Sequence, residues 1–450
     1  MNALTTEQVL ALAPDPASAK AGQGLANPGK WGLLGRGGRS VWGECQGSGK
    51  DPYRTQVDLA GPAFHCSCPS RKFPCKHGLG LMLLLASKPD RVAEGTAPAW
   101  VSEWIAKRDA NTEKKAAKAA EEAAPADPET AARREADREK RAAKREDRVR
   151  AGLADLQTWL SDLLRQGLAQ AKQQPAQFFD TMAARMVDAQ APGIARRLRE
   201  WPSILAGGGD WADRALEEAG TLQWLLHGFA NMDTLPEGLR ASVRQAIGWT
   251  VPEQELVGAE TVRDRWQVAG SVVEEEDRLR VQRTWLLGET TRRPALCLSF
   301  AAMNQPLDVS LVPGTGVDAD LAFYPSASPL RALERARHSQ PRPIGEPAAC
   351  ANFGEALELS SRLLAGDPWL EHTPWLVGDC LPLLVNEAWH LRDATGAVVP
   401  LARSFANPWP LFALSGGAPL TIFGEWNGRA LHPLSVMGPG LFIPLGGALA

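Results

Sequence analysis

At 450 residues, the chain is about three times the usual domain length, so two to four domains are expected. Its hydrophobic content of 44% and charged content of 22% are those of a globular protein and exclude a wholly disordered one. A net charge of −3 excludes a uniformly basic nucleic-acid binder, so any such activity must come from a local patch.

Taken in order, the N-terminus has no basic stretch followed by an apolar run of signal-peptide length, and Leu79 to Ala86 is too short to span a membrane. Seven cysteines, three of them crowded between Cys66 and Cys75, do not form the dense, even set of a secreted disulfide scaffold, which makes the cytoplasm the expected location. Residues 30–70 read as a strand meander. Ser40–Val41–Trp42, Tyr53 to Val57 and Ala63 to Cys66 are strand-like, separated by turns at Gly47 to Lys50 and Gly61–Pro62. An apolar helix is expected from about His77 to Ser87, with Leu79, Leu81, Met82, Leu84 and Leu85 packed on the meander.

The stretch Lys107 to Arg150 consists almost wholly of Ala, Lys, Arg, Glu and Asp, with 14 basic and 11 acidic residues. It cannot bury a core. Its first half, interrupted by Pro125 and Pro128, is expected to be a mobile linker. Its second half, from about Glu129, is expected to be a solvated helix supported by pairs such as Asp137–Arg141 and Glu146–Arg150. Residues 150–250 are helical by periodicity, as in Leu153, Leu156, Trp159, Leu160, Leu163, Leu164 and Leu168. Beyond about Thr261 the pattern is β. Val268 to Val273 and Leu279 to Leu287 flank an acidic turn, hairpins turn at Thr395–Gly396 and Asn427–Gly428, and Glu355 to Leu364 is an inserted helix. The fold class is therefore multidomain α+β: a small β-meander plus helix, a charged helical linker, a helical middle region and an antiparallel β-rich C-terminal region. The corresponding segments are 1–106, 107–150, 151–255 and 256–450, the last with room for two subdomains.

One cluster carries recognisable chemistry. Cys66, Cys68, Cys75 and His77 supply three thiols and an imidazole in the pattern Cys-x-Cys, six residues, Cys-x-His. Four such ligands are what a closed tetrahedral zinc site requires. On a strand, Cys66 and Cys68 point to one face. Cys75, at the start of the following helix, lies at the positive end of its dipole, where a thiolate is favoured. Strand alternation places His65, the rival to His77, on the other face. A Cys66–Cys68 disulfide would close a strained ring, and an iron–sulfur cluster would need a fourth cysteine, for which Cys45 is the only candidate. One structural zinc ion is the expected cofactor.

These residues, followed by an apolar helix and preceded by strands from about Trp31, resemble the SWIM zinc finger over roughly residues 50–90. The wider layout is similar to bacterial stand-alone SWIM proteins. The resemblance implies a strand hairpin and helix around zinc that binds DNA or another protein and is not catalytic. It also implies association with a MoxR-type AAA+ ATPase and a von Willebrand A-domain protein.

Around the finger, Arg39, Arg54, Arg71, Lys72 and Lys76 are interleaved with Trp31, Trp42, Tyr53 and Phe73. This composition fits either single-stranded nucleic-acid binding or a packed meander with solubilising charges. Residues 1–150 carry 25 basic against 19 acidic side chains, and residues 151–450 carry 24 against 33. The first imbalance favours a nucleic-acid partner and the second a protein partner. No membrane partner and no small-molecule substrate is indicated. Gly47 to Lys50 is no phosphate loop, because Glu44 stands where the first glycine would be and Asp51 follows the lysine. His227, His338, His372, His390 and His432 are isolated, and Cys297, Cys350 and Cys380 read as buried small residues of the β region. No catalytic constellation emerges, and the chain is expected not to be an enzyme.

Overall fold

The computed structural model describes residues 4–47, 50–123, 128–249, 251–276, 279–303, 305 and 307–445. Two short helices open the chain, α1 (Thr6–Ala11) and α2 (Pro16–Gln23). The first is closed by a capping box in which Thr5 and Gln8 exchange side-chain and backbone hydrogen bonds. The second starts with Asp15 accepting from the Ser18 N–H at 2.7 Å and Pro16 in the first turn. A four-stranded antiparallel meander follows: β1 (Trp31–Gly37), β2 (Ser40–Cys45), β3 (Tyr53–Asp58) and β4 (Ala63–Cys66).

Helix α3 (Lys76–Ser87) lies across this sheet and buries Leu79, Leu81, Met82, Leu84 and Leu85 with Val41, Val57 and Phe64. Its other side meets α2 at very close range. A Cβ on Gly80 would sit 2.6 Å from Leu25 Cβ and 3.2 Å from the Gly22 carbonyl oxygen. Gly80 therefore costs helix propensity and in return permits the contact. The N-terminal unit also docks on the C-terminal region, because Gln8 Nε2 donates to the Gly314 carbonyl at 2.7 Å and Val312 enters the same apolar core.

The described parts of the charged stretch, 107–123 and 128–150, are helical. Helix α4 (Ala99–Ala123) covers much of the half expected to be a mobile linker, so that part is helical, and the interruption expected at Pro125 lies outside the described residues. Ala, Lys and Glu have high helix propensity, and the first turns are pinned where Arg108 bonds Asp58 at 3.3 Å and Asp109 pairs with Arg39. Helix α5 (Pro128–Gln166) runs without interruption through residue 150 into the helical region. The Glu146–Arg150 pair forms at 3.0 Å, whereas the side chains of Asp137 and Arg141 lie outside the described residues.

The rest of the bundle is α6 (Leu168–Ala171), α7 (Ala176–Asp188), α8 (Pro192–Leu205), α9 (Trp211–Ala230) and α10 (Glu237–Ile247). Its core gathers Leu153, Leu156, Leu160, Met182, Met186 and Leu222 around Trp201, whose ring stacks on Phe179 at 5.8 Å. Leu164, although in phase with the apolar face of α5, lies exposed at its rim.

Two antiparallel sheets complete the chain. The first has strands β5 (Thr261–Glu276), β6 (Leu279–Gly288), β7 (Pro294–Ala302), β8 (Thr315–Phe323), β9 (Ala332–Arg337) and β10 (Arg342–Pro343). Its order is β10-β8-β5-β6-β7, with β9 also paired to β8. Helix α11 (Phe353–Gly366) leads into the second, formed by β11 (Thr373–Val385), β12 (Ala388–Arg392), β13 (Val398–Pro400), then, after α12 (Trp409–Ser415), β14 (Leu420–Trp426), β15 (Leu431–Gly438) and β16 (Leu441–Pro444). Its order is β13-β12-β11-β14-β15-β16. The expected Asn427–Gly428 turn joins β14 to β15, with Gly428 at φ +88° and Asn427 accepting from the Arg429 and Ala430 N–H groups.

The sheets share a core of Ala269, Trp285, Leu376, Phe423 and Leu434. At its edge Arg283 of β6 reaches Glu274 at 2.6 Å and Glu425 of β14 at 2.8 Å, and Trp285 Nε1 donates to the same Glu425 at 2.7 Å. Cys380 is buried in β11, whereas Cys297 in β7 and Cys350 ahead of α11 are only half-buried. Among the described residues, no helix is long and apolar enough to cross a membrane.

Candidate metal centre

The four donors come from three pieces of local structure. Cys66 ends β4, Cys68 follows in the loop, and Cys75 and His77 belong to the start of α3. The ring of His65 faces Trp104 at 6.1 Å, away from the cluster, as strand alternation requires. The four ligand atoms lie within 4.8 Å of one another.

His77 Nδ1 stands 3.8 Å from Cys66 Sγ and 4.0 Å from Cys75 Sγ. A tetrahedral zinc with Zn–S near 2.3 Å and Zn–N near 2.0 Å separates neighbouring donors by about 3.5–3.8 Å. These two His77 distances lie within about half an ångström of that spacing, and the whole cluster is compact enough to close on one ion. Cys75 and His77 are buried, and Cys66 and Cys68 are partly so. Tyr53 covers the imidazole with ring centroids 5.1 Å apart. The site is closed by four protein ligands, the arrangement of structural zinc.

Electrostatics within the cluster call for a cation. Cys75 is held down to about 4, first by the hydrogen bond from Cys66 and then by His77 and the Gly78 N–H, which outweigh its burial. The same partnership with Cys75, together with burial, drives Cys66 in the opposite direction, well above an ordinary thiol. Burial also raises Cys68. One thiolate is therefore accommodated readily, and ionising all three requires the compensating charge of a metal. Zn2+ fits this donor set, and Cys66, Cys68, Cys75 and His77 hold one structural ion.

The basic side chains of the finger have separate fates. Arg39 forms ion pairs with Asp58 at 3.3 Å and with Asp109 of α4. Arg54 pairs with Glu44 at 3.2 Å and lies over Trp100 at 5.8 Å. Lys72 reaches Asp15, the N-cap of α2, at 2.8 Å and depresses that carboxyl. Among the described residues, Arg71 and Lys76, both exposed, have no ion-pair partner. Of the interleaved aromatics, Trp31 and Trp42 are buried, Tyr53 covers His77 and Phe73 packs against Phe64 at 6.1 Å.

Three of the five isolated histidines have ordinary hydrogen-bond partners. His338 meets Asp320 at 2.8 Å, His432 meets Ser404 at 2.7 Å, and His390 bonds the Ala388 carbonyl at 3.0 Å.

Fold and site together define a four-stranded meander and helix closed around a structural zinc, followed by an all-helical bundle. Comparison with known families gives this class its name. Residues 53–86 match the SWIM zinc finger, and residues 144–247 match the SWIM-associated four-helix bundle domain. The chain thus carries a SWIM zinc finger and its associated four-helix bundle. No curated protein and no solved structure matches it. Residues 144–247 had been legible only as helices, because their apolar periodicity shows what they bury and not that this bundle accompanies a finger.

Proposed function

We propose that this protein is a non-catalytic docking component that works through protein contacts in the cytoplasm, with zinc maintaining the shape of its finger. The observation that carries this reading is the engagement of the finger's own side chains. Stacking-type nucleic-acid binding uses exposed aromatic faces beside available cations. Here the aromatics lie in the core or over the metal site, and Arg39, Arg54 and Lys72 are engaged by Asp58, Asp109, Glu44 and Asp15.

Apolar anchors of the kind that dominate protein interfaces stand elsewhere. On α9, Trp224 is 65% exposed and Leu216 is 59% exposed; they are eight residues apart on one helix face with Gly220 between them. On α12, Trp409 is 59% exposed and meets Trp389 and Phe412 edge-on. The family resemblance makes a MoxR-type AAA+ ATPase and a von Willebrand A-domain protein the first partners to try.

DNA binding is the second reading, supported by the unpartnered Arg71 and Lys76. Fluorescence anisotropy of the zinc-loaded protein against single-stranded DNA, duplex DNA and RNA separates the two, run at low and near-physiological salt beside an Arg71→Ala/Lys72→Ala/Lys76→Ala variant. The docking reading expects no binding even at low salt, and binding of a purified partner that Trp224→Ala weakens. Tight, salt-sensitive binding lost in the triple variant would make the finger a nucleic-acid module, since phosphate contacts release counterions.

A further inference from the structure

A cavity of about 380 Å3 lies where the helical bundle meets the first C-terminal sheet, far in sequence from the finger. One wall is a single face of α10, which carries Glu237, Arg240 and Arg244. A second wall is the connection from β8 to β9, which supplies Tyr324 and Arg331. Trp249 and Leu256, from the chain between bundle and sheet, also line it. Its size and its place between two units are those of a small-molecule site.

Charge says what would fit. Among the described residues, no carboxylate pairs with Arg240, Arg244 or Arg331, although Arg240 and Arg331 are half-buried. Arg331 instead lies over the Tyr324 ring at 4.2 Å. Arg197, Arg283 and Arg337, equally half-buried, are each held by a carboxylate. Withdrawing an unpaired guanidinium from water is costly, and three around one space repel each other. Of the two carboxylates on the cavity, Glu255 interacts with another group, so Glu237 alone is set against three arginines, a surplus of two positive charges. A phosphomonoester matches that surplus, since it carries about −1.5 to −2 near neutral pH and offers three terminal oxygens to guanidinium forks. A carboxylate offers one charge and two oxygens. Trp249 and Leu256 give the ligand's body an apolar surface to lie against.

We propose that this cavity binds a small organic phosphomonoester, with its phosphate among Arg240, Arg244 and Arg331 and its body toward Trp249 and Leu256, so that the ligand ties the helical bundle to the β region. The inference stands apart from the docking reading, which could fail without affecting it.

The test is calorimetric titration of the full-length, zinc-loaded protein with phenyl phosphate, inorganic phosphate and benzoate. Phenyl phosphate should bind once per chain, about ten-fold more tightly than benzoate, because it makes more charge-assisted hydrogen bonds. It should also bind more tightly than inorganic phosphate, which has no body. Arg244→Gln, at an exposed position where folding is not at stake, and Arg331→Gln should each weaken phenyl phosphate about ten-fold. Glu237→Gln should tighten it about two- to five-fold, an effect that loss of structure does not produce. Arg335→Gln, exposed on β9 and not on the cavity, should leave it unchanged. Absence of saturable phenyl phosphate binding, or benzoate bound as tightly, would overturn the proposal. So would inorganic phosphate bound as tightly, which would leave the body without a place. Equal weakening in Arg244→Gln and Arg335→Gln would overturn it too, by showing a general surface field in place of a site.

Discussion

The Gly78 N–H donates to Cys75 Sγ at 3.5 Å, so one sulfur both caps α3 and stands in the metal cluster. Metal binding and the start of the finger helix are therefore one event. A unit this small buries little apolar surface, and zinc of this class contributes on the order of 10 kcal/mol of folding free energy. Cys66→Ser or His77→Ala is expected to lose zinc by elemental analysis and to open residues 30–90 to protease. The bundle around Trp201 should keep its melting transition. Protease resistance of the finger in both variants would contradict a structural role for the ion.

Gly80 sets two effects against each other. Alanine is better than glycine in a helix by about 1 kcal/mol, but its Cβ would fall 2.6 Å from Leu25 Cβ. Overpacking of that degree costs about 1–3 kcal/mol, so Gly80→Ala is expected to be destabilising on balance. Thermal melts of the zinc-loaded protein decide the sign, and an unchanged or raised melting temperature would show that α2 yields easily.

Between the two sheets, Glu425 is 2% exposed and depends on Arg283 and Trp285 for its charge. Burial pushes its carboxyl up, but the Arg283 hydrogen bonds and charge outweigh this and leave it below the ordinary range. Glu274 is lowered first by its hydrogen bond to the same arginine. Because both folded-state values are depressed, their stabilisation is present above the pKa of an unfolded glutamate, about 4.3, and is lost as the pH falls through the lowered values. Arg283→Met leaves the buried carboxylate unpaired and is expected to cost about 3–5 kcal/mol near neutral pH. Its stability should fall less than the wild type's on acidification below pH 5. Parallel pH profiles for the two proteins would show that Arg283 does not hold these carboxylates down.

Two tryptophans of the bundle should behave in opposite ways. Trp201 is fully buried against Phe179, and Trp201→Ala is expected to cost about 3–5 kcal/mol. Trp224 projects from α9, so Trp224→Ala should change stability by less than about 0.5 kcal/mol. Chemical denaturation distinguishes them, and a large loss in Trp224→Ala would mean that its ring supports the fold instead of a partner.

The metal site was legible because all four ligands fall within one short stretch, where strand alternation and a helix start fix their directions. Hairpins were legible where the turn chemistry is local, as at Asn427–Gly428. The opening helices were not read, although Thr5 with Gln8 and Asp15 with Pro16 carry their caps; each is too short for apolar periodicity to stand out. Lys107 to Ala123 was read as a linker because it has no core of its own, and the contacts that hold the start of its helix, Arg108 to Asp58 and Asp109 to Arg39, depend on tertiary structure. Pairings such as β5 with β8 and β11 with β14 join distant segments, and so do the cavity walls that carry Arg244 and Arg331. No local pattern encodes them.

Zinc K-edge absorption on the purified full-length protein, with metal content measured in parallel, tests the central claim most directly. One zinc per chain with three sulfur scatterers near 2.3 Å and one nitrogen near 2.0 Å is the predicted result, with Cys68→Ala reducing the sulfur count or losing the ion. A four-sulfur shell recruiting Cys45, or a protein that folds fully with no metal bound, would contradict it.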